Sequence, residues 1–181
     1  MFDCDDGGIE AVRLFTIKEL DILDTPNEAI YDDIVTHAID CAQTSIAAIS
    51  IVADDRQWFK ARVGLELQET SRSVSFCDHA IRSSDMLIVD DAAKDERFAL
   101  NPLVTGAPFI RFYAGVPLEA SNGIRVGTLC IMDKIPRAPL TAVQVEALKA
   151  LGRRTMEELE NRKKRPTSVS SVIPEENMRS S

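Results

Sequence analysis

The chain has 181 residues, 45% of them apolar, enough to bury one ordinary core, so a single globular unit with appendages is expected. Its 21 basic and 29 acidic residues leave a net charge of -8, which repels phosphate backbones and anionic bilayers and disfavours nucleic acid and membrane as partners. No apolar run approaches the roughly 18 residues that span a bilayer, and the acidic start MFDCDDGGIEAV is not a secretory signal, so the protein is expected in the cytoplasm. Cys4, Cys41, Cys77 and Cys130 are scattered with no CxxC pair, which favours reduced thiols over a disulfide framework.

From Glu10 to Leu23, Leu14, Ile17 and Leu20 form the stripe of an amphipathic helix. Residues 1–9 are expected to be a flexible N-terminus. A second helix is expected to start at Pro26, with Thr25 as its cap and Glu28 completing a capping box, to bury Ile30, Ile34, Ala38 and Ala42, and to end near Gln43. Ile46 to Val52 is continuously apolar, as in a strand covered on both sides, and Asp54-Asp55 turns it into a hairpin. The returning strand, Gln57 to Val63, alternates Phe59, Ala61 and Val63 against Trp58, Lys60 and Arg62, as an outer strand exposing one side would. Only one of Trp58 and Phe59 then faces the core, and Phe59 is the better choice.

Ser75 caps a short helix from Phe76 to Arg82, and Met86 to Val89 is a short strand. Asp95 to Leu100 reads as one helical turn stopped before Pro102, followed by loop. The most informative stretch is a long antiparallel ribbon. Ile110, Phe112, Ala114, Val116 and Leu118 share one face, while Arg111 and Tyr113 lie on the other. Ser121-Asn122-Gly123 closes the turn, and Gly127 on the return strand, Ile124 to Met132, marks a close approach to the backbone. Thr141 and Gln144 form a capping box for the last helix. There Val145, Leu148, Gly152, Thr155 and Leu159 make a narrow seam suited to a partner helix. Leu148→Asp or Leu159→Asp would then yield a folded monomer. Residues 161–181 have the composition of a flexible tail, with Arg162 to Arg165 as a basic close to the helix.

The segments LDILDTPNEAIYDDI, DDRQWFKARVGL, SFCDHAI, DERFALNPLV, IRFYAGVPL and GTLCIMD, in this order and at these spacings, resemble the GAF domain family over roughly residues 10–160. The resemblance is to the bacterial signalling type found upstream of histidine kinases and cyclic-dinucleotide enzymes. It implies an α+β, profilin-like fold: a central antiparallel sheet of five or six strands, helices on both faces, a ligand cavity between sheet and covering loops, and a homodimer through the terminal helices. Periodicity alone gives only an α+β sandwich.

Cys77 and His79 invite a metal or nucleophile reading, but two helical positions apart their side chains diverge by about 200°, and the chain lacks the four ligands a structural zinc needs. Cys77 falls in the first turn of its helix, where free N–H groups favour a thiolate; the competing reading is that Cys77 and Cys130 are small buried apolar residues. The free methionine-R-sulfoxide reductases, an enzymatic branch of the family, use a resolving cysteine where this chain, from Asp90 to Phe109, has none. The Cys-His pair of the bilin-binding branch is also missing. Arg111 and Tyr113 with the DERF turn are set to hold a polar or anionic ligand, or else Arg97 and Arg111 pair internally with Asp95, Asp91 or Asp133.

The expected ligand-lining set is therefore Trp58, Phe76, Cys77, His79, Asp95, Arg97, Phe98, Arg111, Tyr113 and Asp133, with no catalytic residue, no metal ligand and no identified cofactor. A non-catalytic sensory domain is expected, whose small-molecule ligand acts through dimerised terminal helices on an output module or protein. The opposing readings are a thiol sensor or sulfoxide reductase acting through Cys77, and a domain that has kept its shape, lost its ligand and serves only for dimerisation, which a filled pocket would support.

Overall fold

A computed structural model describes residues 6–164. Their backbone is organised around six antiparallel strands in the order β3-β2-β1-β6-β5-β4. These are β1 (Ile46–Val52), β2 (Arg56–Val63), β3 (Glu69–Ser71), β4 (Leu87–Val89), β5 (Phe112–Glu119) and β6 (Arg125–Asp133). Three long helices, α1 (Asp6–Leu20), α2 (Ala29–Ala42) and α5 (Ala142–Asn161), join the core on one face of the sheet; the other face carries the short α3 (Phe76–Ala80), α4 (Pro102–Thr105) and their loops. This is the expected α+β architecture.

The central strands are apolar because neither of their faces meets water. Every residue of β1 is buried, and β5 and β6 are nearly so. On the helix side Ala47, Ile49 and Ile51 meet Phe112, Ala114, Val116, Ile34 and Leu148; on the loop side Ala48, Phe59, Phe76, Tyr113 and Cys130 form a second core. Gly127 pairs with Ile51, and a methyl group there would overlap the Ser50 carbonyl, which is the close approach expected of it. Gly123 takes the left-handed conformation at the ribbon turn, φ 80°.

Several expectations need correction. β2 does not expose one side: Trp58 and Lys60 are as buried as Phe59 because α2 covers the face that alternation left to solvent. Trp58 and Phe59 are thus both core residues, in opposite clusters. A bulge against Ile49/Ser50 skips Lys60 and returns Ala61 to the helix side, breaking the strict alternation. Ile110 precedes β5 and packs on the loop side rather than with Phe112. The loop expected after Pro102 holds α4, where Asn101 Oδ1 accepts from Leu103 N at 2.8 Å and Pro102 occupies the first turn.

α2 begins three residues later than expected, after Glu28, which makes no side-chain cap. Thr25 and Glu28 turn to Lys60 instead: its ammonium donates to Thr25 Oγ1 at 3.0 Å, Pro26 O at 2.6 Å and Glu28 Oε1 at 2.8 Å. A buried charge outcompetes a cap for these oxygens. The left-handed Gln43 closes α2, its N–H on Ile39 O.

The seam of α5 is filled within the chain. Leu148, Gly152, Thr155, Met156 and Leu159 are buried, Gly152 lies against Val116, and the Thr141–Gln144 capping box is formed. An aspartate at 148 or 159 would enter this core, so the folded monomer expected of either substitution does not follow. α1 starts at Asp6, four residues early, so the flexible N-terminus reached too far; residues 1–5 and the 165–181 part of the expected tail lie outside the described residues. Arg162 is not merely a helix-end cation, because it donates to Glu28 Oε1 at 2.7 Å and Asp21 O at 2.8 Å.

Candidate functional site: a thiol-lined cavity behind Tyr113

Alternation on four strands places Ser50, Gln57, Thr128, Cys130 and Tyr113 on the loop side of the sheet, an unusual number of polar groups for a buried surface. Gly115 lies opposite Cys130 in the β5–β6 register; a methyl group there would overlap the phenol of Tyr113, so the glycine is what lets the ring fold over the sheet. The Tyr113 hydroxyl donates to Cys77 Sγ at 3.3 Å and Thr128 Oγ1 donates to the same sulfur at 3.1 Å. Cys130 Sγ is 4.0 Å from it.

α3 delivers Cys77 to this point. Ser75 caps it, accepting from Asp78 N at 3.0 Å, while its hydroxyl donates to Gln57 Oε1 at 2.6 Å and so pins the helix start to β2. Ser50 also donates to Gln57 Oε1, at 3.3 Å, and Gln57 Nε2 donates to Thr70 Oγ1 at 2.9 Å. Phe76 stacks on Phe98 with centroids 4.1 Å apart and tilts against Tyr113 at 5.1 Å; His79 meets the Phe98 edge at 4.9 Å. Asn101 Nδ2 donates to Val74 O at 3.0 Å, tying the α4 loop across the site.

Between these groups lies a cavity walled by Phe59, Phe76, Cys77, Leu103, Ile110, Tyr113, Cys130 and Met132, with Leu65, Leu67, Thr70 and Pro108 at its margin. The volume open to the centre of a water molecule is about 20 Å³, room for about one water. The hollow expected on Tyr113's side of the sheet therefore exists, but aromatic and aliphatic side chains fill most of it.

Burial opposes ionisation of Cys77, but its hydrogen bonds with Cys130, Thr128 and Tyr113 outweigh it and bring the thiol down to about 6. Cys130 is pushed up, first by its hydrogen bond to Cys77 and then by burial, so the two thiols resist ionising together. Burial raises the Tyr113 phenol, keeping it a donor, and lowers His79.

An ion-pair chain runs from the cavity to the first helix. Arg72 Nε donates to Asp78 Oδ1 at 2.7 Å, one residue beyond Cys77, and Arg72 Nη1 donates to Glu10 Oε1 at 2.5 Å on α1. Glu10 in turn pairs with the buried Arg13 at 2.6 Å, whose guanidinium also donates to the Val52 carbonyl of β1.

Of the expected ligand-lining residues, the structure brings Phe76, Cys77 and Tyr113 to the cavity wall, with Phe98 and His79 behind Phe76. Trp58 lies on the opposite face of the sheet. Arg111 is held by both oxygens of Asp91, at 2.8 and 3.0 Å, and Arg97 by Asp95 at 2.6 and 2.9 Å, so the internal pairing weighed for them is what forms. Asp133 accepts from Ser45 and Arg137. Gln57, Thr128, Leu103 and Ile110 were missed as contributors. Gln57 shares Phe59's face by simple alternation, and Thr128 shares that of Cys130 and Met132, so the period-two pattern carried a signal for both. Among the described residues no group of three or more His, Cys, Asp or Glu is placed to hold a metal ion.

The GAF domain family profile matches residues 26–159, and the chain belongs to that family. It is 40% identical over 147 residues to the cyclic di-GMP phosphodiesterase PA2567 of Pseudomonas aeruginosa, a match covering 81% of this chain and 25% of that protein; the chain thus spans about a quarter of its length. Among solved structures, the GAF domain of an Acinetobacter phosphoenolpyruvate-protein phosphotransferase aligns with TM-score 0.63 at 16% identity, over 93% of this chain and 100% of that one. The type II free methionine-R-sulfoxide reductase of Thermoplasma acidophilum aligns with TM-score 0.58 at 10% identity, over 84% and 96%. At such identities these two neighbours show the fold alone. In this chain the loop between β4 and β5 carries no cysteine. No helix among the described residues is long and apolar enough to cross a membrane.

Proposed function

We propose that the chain is a non-catalytic regulatory domain of a bacterial cyclic-dinucleotide signalling system, which binds a small molecule in the cavity behind Tyr113 and passes occupancy to its terminal helices. The observation that carries this reading is the convergence of buried polar groups, Gln57, Tyr113 and Cys77, on one otherwise apolar hollow, with Thr128 bonded to the Cys77 sulfur behind it. In the closed form described here the hollow admits about one water, so a larger ligand enters by displacing the Leu103–Ile110 side of the wall. That displacement defines two states whose balance shifts by the ligand's difference in affinity for them. The Asp78–Arg72–Glu10 chain supports α1 as the receiving element. The cyclic di-GMP assignment rests on the Pseudomonas relative, and the output lies in a further module or a partner protein.

In this reading the domain works in the cytoplasm as a homodimer. The face of α1 that carries Ile9, Val12 and Phe15, all exposed, is the surface that a second copy covers.

Thermal denaturation of the chain against fractions of a bacterial small-molecule extract tests the binding claim. A fraction that raises the midpoint of the native chain but not of Ile110→Trp, which fills the cavity, is the expected result. Equal stabilisation of both proteins, or of neither by any fraction, would contradict it.

A further inference from the structure

The cavity wall contains two thiols brought together from distant parts of the chain, Cys77 from α3 and Cys130 from the middle of β6, with 4.0 Å between their sulfurs. Nothing in a purely apolar packing role calls for the donors around them. Tyr113 and Thr128 both aim hydroxyl hydrogens at Cys77 Sγ, at 3.3 and 3.1 Å, whereas Cys130 Sγ faces Cys77 and, at 3.5 Å, the Ala48 carbonyl. Two donors on one sulfur match an anionic acceptor. The two sulfurs are therefore unlike: one is set as a thiolate and the other as its protonated neighbour. The acidity of Cys77, drawn down to about 6, agrees with this division. The hollow beside them has room for about one water, enough to bring a comparably small oxidant to the sulfur.

We propose that Cys77 and Cys130 form a reversible disulfide in response to a small hydroperoxide, making the cavity a thiol switch. The Cys77 thiolate attacks one peroxide oxygen, the O–O bond breaks, and the departing oxygen takes up the proton that Cys77 released, leaving a sulfenic acid and water. The Cys130 thiol then attacks the Cys77 sulfur; the S–O bond breaks and hydroxide leaves with the Cys130 proton as a second water. Two thiols lose two electrons and hydrogen peroxide gains them, and a dithiol reductant reverses the change by exchange. Closing the sulfurs from 4.0 Å to about 2 Å draws the first turn of α3 toward β6. Asp78, the next residue, carries that movement to Arg72 and on to Glu10 of α1.

The inference rests on the cavity being the sensing site, yet the two fail separately: the thermal test reads a bound metabolite with both thiols reduced, and the thiol test needs no metabolite. The full chain carrying Cys4→Ser and Cys41→Ser, to remove the other thiols, is treated under native conditions with stoichiometric hydrogen peroxide, alkylated and mapped by non-reducing peptide mass spectrometry. The expected product is a linked pair of peptides holding residues 77 and 130, lighter by two hydrogens and reversed by dithiothreitol. Adding Cys130→Ser should stall the reaction at a sulfenic acid on Cys77 that dimedone traps. Thr128→Val, which keeps both thiols, should slow the linkage about tenfold through loss of one hydrogen bond. Recovery of both residues fully alkylated, linkage only after unfolding, or an unchanged rate in Thr128→Val would overturn the proposal.

Discussion

Lys60 is the least conventional residue in the core, because its side chain has no exposed surface and it is an ammonium. It sits 5.1 Å over the Tyr31 ring and donates to Thr25, Pro26 and Glu28, and Glu28 also receives Arg162. Burial lowers Lys60, while burial that would raise Glu28 is outweighed by its two cationic partners. Glu28→Gln leaves both cations without their counter-charge and should cost about 2 kcal/mol in urea denaturation, below the ~3–5 kcal/mol of a fully buried pair because Glu28 is partly exposed. A loss within experimental error would deny the cage its role. Glu10 gives the pH dependence: the hydrogen bond from Arg13, ahead of Arg72, holds its carboxyl at about 2 instead of 4.5. A depressed folded value means the stabilisation is complete above pH 4.5 and is lost as pH falls toward 2. Glu10→Gln should lose on the order of 1 kcal/mol at neutral pH, after discounting for solvent screening, and lose less than the native chain on acidification through that window. Parallel stability curves for the two proteins would contradict this.

At the scale of elements, the last helix separates two accounts of its apolar seam. Leu148 and Leu159 lie in the core against α2 and the sheet, so Leu148→Asp should abolish cooperative unfolding rather than release a folded monomer. A well-folded Leu148→Asp monomer, seen by circular dichroism and sedimentation, would restore the seam as an interface. The seam was legible as a periodicity, but its partner was not, because a narrow apolar stripe looks the same whether a second chain or the chain's own sheet covers it. Local signals fared better. The Asn122-Gly123 turn, the Thr141–Gln144 box, the Ser75 cap and the close approach at Gly127 each depend on residues within a few positions or on backbone geometry. The start of α2 was misplaced because Thr25 and Glu28 answer to Lys60, more than 30 residues away in sequence, and the Lys60 bulge left no mark in the composition of β2. In the site the same division holds. Phe76, Cys77 and Tyr113 were found through helix start and strand alternation, whereas the fate of Arg97 and Arg111 depended on which carboxylate reached them first in space.

At the scale of the whole molecule, the sheet divides two functions between its faces. The helix side holds the large core and ties α5 through Arg162 to the Lys60 cage, while the loop side holds the thiol-lined cavity and the ion-pair chain to α1. α1 is where the two meet, with Ile17 and Leu20 turned inward and Ile9, Val12 and Phe15 outward. If that outward face joins two copies, Phe15→Asp should give a folded monomer with unchanged thermal stability at low concentration; a dimer that survives the change by sedimentation would move the interface elsewhere.

Native mass spectrometry of the full chain, with Ile110→Trp alongside, tests the cavity most directly. A small-molecule adduct on the native chain that is missing from the tryptophan variant is the predicted outcome. Two bare polypeptide masses, or the same adduct on both, would mean that the space behind Tyr113 is structural filling and not a receptor site.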